Sequence, residues 1–369
     1  MSGSLSDFCI LNGRQDGRLS DVERLTVVGG RGLDRVLERL AKNLASVSLS
    51  TITPFLDSQR LQQQAIRLHH LRGNGVIDGL FEAPRRFVKP AVTQIHGFPD
   101  GSVTDLRFSS QFPHNGWPHD PDYVATEENT TSYVRLWSHT VQQPSRLTVV
   151  AIHGWTMGDQ RVNSLAFLPG VLYRLGFNVA LVELPFHGRR RPIGLPDDVP
   201  LFPSVDPIRT CLSIAHALHD LRLLRDFLVT EGMDRIATIG MSLGAYVATV
   251  WASRDELDRA LYAVPLVSMG GMATSLVETS SISGLSPEFL LDLYSDHFPL
   301  QSEPRTVQER MMVIGGQGDH LVPQAQIAEL HTRWPRVPIK WASGGHSAPT
   351  NRQGAFLDVV QFLSRTSFD

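Results

Sequence analysis

The chain has 369 residues, 42% of them hydrophobic and 19% charged, with 30 Gly, 23 Pro and 2 Cys. That length accommodates one large or two ordinary domains, and the apolar fraction suffices for a buried core, which excludes an intrinsically disordered chain. The formal charge of −3 excludes a global field that would favour nucleic acid, an anionic membrane or a highly charged substrate, so partners have to be argued from a site.

Only three lysines stand against 31 arginines, which leaves little supply for Schiff-base or lysine-nucleophile chemistry. Cys9 and Cys211 are far apart and lack CxxC or metal-ligand spacing, so two buried structural thiols are expected. The start, MSGSLSDFCILNGRQDG, has neither the basic end nor the apolar stretch of a secretory signal, and no apolar run approaches the roughly 18 residues of a membrane helix. A soluble, cytoplasmic protein is expected, and the sequon Asn129-Thr130-Thr131 then says nothing about glycosylation.

In chain order, residues 1–90 read as a helical extension with 13 Lys and Arg against 9 Asp and Glu. Leu33, Val36, Leu37, Leu40, Leu44 and Val47 recur at helical spacing and form one apolar stripe. A second helix is expected from about Pro54 to Leu71, ending before the breaker Gly73-Asn74-Gly75. Val27-Val28-Gly29-Gly30-Arg31-Gly32 lacks the G-x-G-x-x-G spacing and a following acidic residue, so it reads as a turn and not a dinucleotide loop. From about Ala91 to residue 146, short extended pieces such as Ser102–Phe108 and Thr131–Trp137 predict antiparallel strands.

From Leu147 the rhythm changes to short apolar runs: Leu147–Ile152, Phe177–Val182, Ile236–Ile239, Leu261–Val264, Met311–Ile314 and Pro338–Trp341. Most are separated by helical patterns, the longest being Asp206–Thr230. There Cys211, Ile214, Leu218, Leu221, Leu224 and Leu228 share one face, and Arg222, Arg225 and Asp226 another. Apolar strands alternating with helices predict an α/β fold with a mostly parallel sheet covered on both faces, and chemistry just beyond the carboxyl ends of the strands.

Three of those strand ends carry reactive residues. Ile236–Ile239 runs into Gly240-Met241-Ser242-Leu243-Gly244 and then a helix, and a serine in such a strand-turn-helix needs small residues two positions away on either side. Met311–Ile314 runs into Gly315-Gly316-Gln317-Gly318-Asp319-His320, which sets Asp319 before a new helix, as an orienting carboxylate or as a plain helix cap. The last run ends at Trp341 and leads to Ser343-Gly344-Gly345-His346-Ser347, where a histidine has the reach of a general base. Ser242, Asp319 and His346 thus follow in the order serine, acid, histidine.

With these motifs the segment from Leu147 to the C-terminus, about 220 residues, resembles the α/β-hydrolase superfamily. Leu184-Pro185-Phe186-His187-Gly188-Arg189 makes it similar to a bacterial abhydrolase-domain-containing branch. The resemblance implies Ser242 as nucleophile, His346 as general base and acid, and Asp319 as the residue that fixes the imidazole tautomer. It also implies that His153-Gly154-Trp155 is the oxyanion turn, with the backbone N–H groups of Trp155 and Leu243 as donors. Val264-Pro265-Leu266-Val267-Ser268 has no carboxylate to rival Asp319.

Residues 268–306 are expected to form a cap-like insertion, with Met269 and Met272 as candidates for substrate contact or simple core closure. His187, beside Arg189, Arg190 and Arg191, is a further candidate for substrate contact, such as a substrate carboxylate, against the plainer reading of a solvated basic loop. His114, His119, Asp120 and Asp122 sit among prolines and read as an exposed loop, not as metal ligands. His320 reads as a bystander.

The expected activity is hydrolysis of a small or medium hydrophobic carboxylic ester or lactone through an acyl-enzyme, with no metal or organic cofactor. Thioester hydrolysis, acyl transfer and peptide cleavage use the same triad, and a non-catalytic binding protein on this fold is the alternative from another class. The extension 1–90 is expected either to roof the cleft of the domain 91–369 or to make a homo-oligomer contact.

Overall fold

A computed structural model describes residues 73–84, 86–112, 127–141, 146–194, 201–204, 207–263, 303–317, 324–342 and 352–365. It also describes 63, 66–67, 69–71, 143, 319, 322, 344–345 and 348–349. Nine strands form one sheet in the order β1-β2-β3-β5-β4-β6-β7-β8-β9. These are β1 (Ala91–Phe98), β2 (Gly101–Ser109), β3 (Thr131–His139), β4 (Thr148–Ile152), β5 (Asn178–Val182), β6 (Ile236–Met241), β7 (Arg259–Ala263), β8 (Met311–Gly316) and β9 (Ile339–Ala342).

The first three strands pair antiparallel, and β3 joins β5 antiparallel through Leu136↔Ala180. The other six run parallel, with Val150 opposite both Ala180 and Thr238. Both expectations, a leading antiparallel portion and a parallel core, are met. The apolar runs mark β4 to β9 to within about two residues, β7 starting two residues before Leu261.

Every residue of β4 and β5 is buried, because each strand feeds two cores through the period-2 alternation of its side chains. On one face Val150, Ile152, Ala180, Tyr262 and Val313 pack under α4 (Pro207–Thr230), α5 (Leu243–Arg254) and α6 (Gln324–Arg333). On the other, Val149, Ala151, Val179, Leu181 and Met312 meet Phe167 of α2 (Gln160–Phe167), Leu172 of α3 (Pro169–Arg174) and Phe362 of α7 (Arg352–Ser364).

One expectation changes in part. Helix α4 keeps Asp226 exposed and Arg225 half-buried, as its polar face predicts, but His216, His219, Asp220 and Arg222 are buried along with its leucines. Chain from elsewhere covers these. Arg222 donates to the carbonyl of Phe81 at 2.6 Å and pairs with Asp255, while Asp220 pairs with Arg190 of the turn after β5. The cover comes from the expected extension, whose helical residues through Leu71 and the helix α1 (Val76–Leu80) send Leu71, Ile77, Leu80 and Phe81 into the core.

The Arg254 guanidinium lies 4.3 Å over the Phe81 ring, so this portion sits at the far end of α5. At 1.5 Å per residue that is about 18 Å from the helix start at Ser242, away from any cleft there. The apolar stripe Leu33–Val47, the glycine turn at 29–32, the insertion at 268–302 and the His114 to Asp122 cluster lie outside the described residues.

The sequon carries no glycosylation signal, as its sequence reading has it. Asn129 is buried, its Oδ1 accepting from the N–H of Phe186 at 3.2 Å and its carbonyl from Arg190 Nη2 at 3.2 Å, so a glycan has no room there.

Candidate active site

Ser242 joins β6 to α5 with φ 54° and ψ −118°, a conformation costly for any residue with a Cβ. Its flanking glycines fix it there. A Cβ on Gly240 would lie 2.5 Å from the Cα of Ala245, and one on Gly244 would drive into the carbonyl oxygens of Ile152 and His153. Backbone obstructs both positions, so the G-x-S-x-G pattern is a steric requirement. Ser242 is partly exposed at the helix start, its carbonyl accepting from Ala245 N at 2.9 Å and Tyr246 N at 3.1 Å.

The turn after β4 lies against this elbow. A Cβ on Gly154 would come within 3.3 Å of the Ser242 Cβ and of the Met241 carbonyl oxygen. Trp155 follows, then Thr156 with φ 65°. The neighbouring turn after β5 carries Phe186 with φ 62°. Among the described residues four non-glycines have such positive φ, and three of them, Thr156, Phe186 and Ser242, sit on the adjacent turns leaving β4, β5 and β6. Strain of this kind persists only where surrounding structure enforces it, and it gathers at functional sites.

His153 is wholly buried. Its Nδ1–H donates to the Gly154 carbonyl at 2.8 Å and its Nε2 accepts from Leu184 N at 3.1 Å, which ties the turn after β4 to that after β5. Burial, and the nearby His187, push its pKa down to about 3, so the ring is neutral and braces the turns.

His187 is not on a solvated loop as the basic neighbours suggested; only 6% of it is exposed. Its Nδ1–H donates to the Pro185 carbonyl at 2.9 Å, and the ring meets His153 and Phe202 edge-on at 5.0 and 6.0 Å between centroids. Burial lowers its pKa to about 4, with Arg191 and Arg190 adding to the fall. Of the three arginines only Arg190 is buried, and Arg189 stays partly exposed. Glu183, the residue after β5, accepts from the N–H of Arg189 at 3.0 Å and from its guanidinium at 2.8 and 3.0 Å. Arg190 donates to the Glu183 carbonyl at 3.0 Å and pairs with Asp220 at 2.9 Å.

Asn129, Glu183 and Arg190 therefore hold the turn, roles that no sequence pattern announced. The usable signal was a carboxylate placed directly after a fully apolar run. Asp105 belongs to the same set: burial alone would raise its pKa, but Arg135 at 2.7 Å and Arg189 bring it below the ordinary value.

Asp319 is buried beyond β8, its Oδ1 accepting from Val322 N at 2.8 Å just before α6. β8 and β9 run parallel through Gly316↔Ala342, and Gln317 N donates to the Ala342 carbonyl at 2.9 Å. The turn bearing Asp319 and the chain leading to His346 thus leave adjacent strand ends. Gly344–Gly345 pairs antiparallel with Ala348–Pro349. His346, His320, Met269 and Met272 fall outside the described residues, and Cys211 is a buried free thiol. The structure brings together Ser242, the Gly154-Trp155 turn and Leu243, and sets Asp319 two strands away.

Among the described residues no group of three or more His, Cys, Asp or Glu side chains could hold a metal ion, and no helix is long and apolar enough to cross a membrane. The chain matches no protein-family model and no curated protein sequence. Solved structures do resemble it. An acetyl xylan esterase from Paenibacillus sp. R4 is similar over 77% of this chain and 91% of its own, with TM-score 0.53 and 14% identity. Acetyl xylan esterase 1 from Thermoanaerobacterium sp. JW/SL YS485 is similar over 82% and 92%, with TM-score 0.52 and 13% identity. At such identity the likeness concerns the fold, and with the sheet described above it makes this an α/β-hydrolase fold.

Proposed function

We propose that the protein is a serine carboxylic ester hydrolase working through an acyl-enzyme. The observation that carries the reading is the enforced strain at Ser242, which holds a hydroxyl forward at the start of a 12-residue helix at the carboxyl end of a parallel strand. Ser242 Oγ attacks the ester carbonyl carbon while His346 takes its proton. The tetrahedral oxyanion is held by the N–H groups of Trp155 and Leu243, neither of which has an acceptor among the described residues. Donors so placed contribute on the order of 3 kcal/mol each to the transition state.

The intermediate then collapses, the C–O bond to the alcohol breaks, and His346 returns the proton to the leaving oxygen. A water molecule, deprotonated by His346, attacks the acyl-enzyme and releases the acid, regenerating Ser242. Asp319 orients the imidazole through its second nitrogen. Its bond from Val322 N fits that role, since it pins the carboxylate at the end of β8. His187 is the described candidate for substrate contact, Met269 and Met272 remain candidates from sequence, and the substrate is a small or medium hydrophobic ester or lactone.

Hydrolysis of p-nitrophenyl acetate by the wild type and by Asp319→Asn and His346→Ala tests the assignment. Asp319→Asn is expected to lose about 10⁴-fold in kcat and His346→Ala about 10⁶-fold. Retention of wild-type turnover in either removes that residue from the mechanism.

A further inference from the structure

The sequence makes His187 a candidate contact for a carboxylate, and its surroundings point to the opposite chemistry. The Pro185 carbonyl can only accept, so the ring proton resides on Nδ1 and Nε2 presents a bare lone pair. Burial and the nearby Arg191 and Arg190 disfavour a second proton, which leaves the ring itself without a positive charge to attract an anion. Among the described residues nothing donates to Nε2, yet it is not one of the polar atoms sealed from solvent without a partner.

The ring is also fixed in place. A Cβ on Gly158, whose φ is +118°, would lie 2.9 Å from the His187 Cβ and 2.7 Å from Gly188 N. His187 is thereby wedged against the turn that begins at Gly154 beside Ser242, while Asn129 and Glu183 hold the turn from behind. An acceptor oriented in this way recognises a hydroxyl and repels a carboxylate.

We infer that His187 Nε2 accepts a hydrogen bond from a substrate hydroxyl, making this a specificity residue for esters with a free hydroxyl close to the scissile bond. The inference rests on the hydrolase reading above, and the assay separates the two. One arm places the hydroxyl in the acyl part, comparing p-nitrophenyl 3-hydroxybutyrate with p-nitrophenyl butyrate. The second places it in the alcohol, comparing glycerol monoacetate with propyl acetate. A third ester, mono-p-nitrophenyl succinate, carries a carboxylate.

In one arm the wild type favours the hydroxylated ester in kcat/KM by about 5- to 10-fold, the worth of one added hydrogen bond. The carboxylate ester is the poorest substrate. His187→Phe keeps a ring but removes the acceptor and brings the ratio close to 1, mainly through KM. His187→Gln, which can place an amide oxygen where Nε2 lies, recovers part of it. A wild-type ratio at or below 1 in both arms, an unchanged ratio in folded His187→Phe, or a preference for the carboxylate ester overturns the inference while leaving a hydrolase. No turnover of plain butyrate or acetate overturns the hydrolase reading and this one with it.

Discussion

The strain at Ser242 can be measured as stability. A residue with a Cβ at φ 54°, ψ −118° costs about 1–3 kcal/mol, which Ser242→Ala retains and Ser242→Gly releases. Against that, glycine raises the entropy of the unfolded chain and gives back about 0.4–1 kcal/mol. The difference leaves the glycine variant more stable than the alanine variant by about 1 kcal/mol, with an upper end near 2.5. For a domain of this size that corresponds to a Tm higher by about 2–4 °C per kcal/mol. Thermal unfolding of the two variants, followed by circular dichroism alongside ester hydrolysis, gives both quantities. Both variants should be inactive, with the glycine form melting higher. A glycine variant that melts at or below the alanine variant would refute the claim that the turn holds serine under strain.

Other outcomes follow from the packing. Gly240→Ala and Gly244→Ala should each cost about 3 kcal/mol or more, because backbone atoms obstruct both Cβ positions, and should lower soluble yield. Gly79→Ala in α1 has open space around its Cβ and should be neutral or stabilising by up to about 1 kcal/mol in urea unfolding. Phe81→Ala should cost about 3–5 kcal/mol yet leave KM unchanged, since Phe81 packs at the end of α5 remote from Ser242.

Stability should also depend on pH through the two buried histidines. Their folded pKa values, about 3 for His153 and about 4 for His187, lie below the ordinary 6.5, so protons bind the unfolded chain better. The stability they contribute is fully present above pH 6.5 and is lost as the pH falls, by about 1.4 kcal/mol per pH unit for each ring. Urea unfolding between pH 6.5 and 5 should show this slope, reduced by about one ring's share in His187→Phe; identical slopes would contradict the neutral assignment.

What sequence made legible here was the part set by period and steric necessity. Runs such as Val149–Ile152 and Val179–Val182 are apolar at every position because both faces of the parallel sheet are covered, and that pattern survives in one dimension. Gly240 and Gly244 are likewise legible, since no other residue type fits beside their backbone neighbours. Helix α4 misled at Arg222, which is buried by partners more than 25 positions away or from another segment, as in the Asp255 pair and the Phe81 carbonyl. His187 misled partly for the same reason: three adjacent arginines suggest solvent, yet Asp220, 30 positions on, draws Arg190 into the fold, while Arg189 stays half-exposed on Glu183. Neutralisation by distant partners leaves no trace in local composition.

Labelling by a fluorophosphonate probe tests the central claim most directly, because the probe reacts only with a serine activated by a nearby base and oxyanion donors. The wild type should be labelled once, at Ser242, and Ser242→Ala should not be labelled at all. A well-folded wild type that resists the probe, or labelling that persists in Ser242→Ala, would contradict the assignment of Ser242 as the nucleophile.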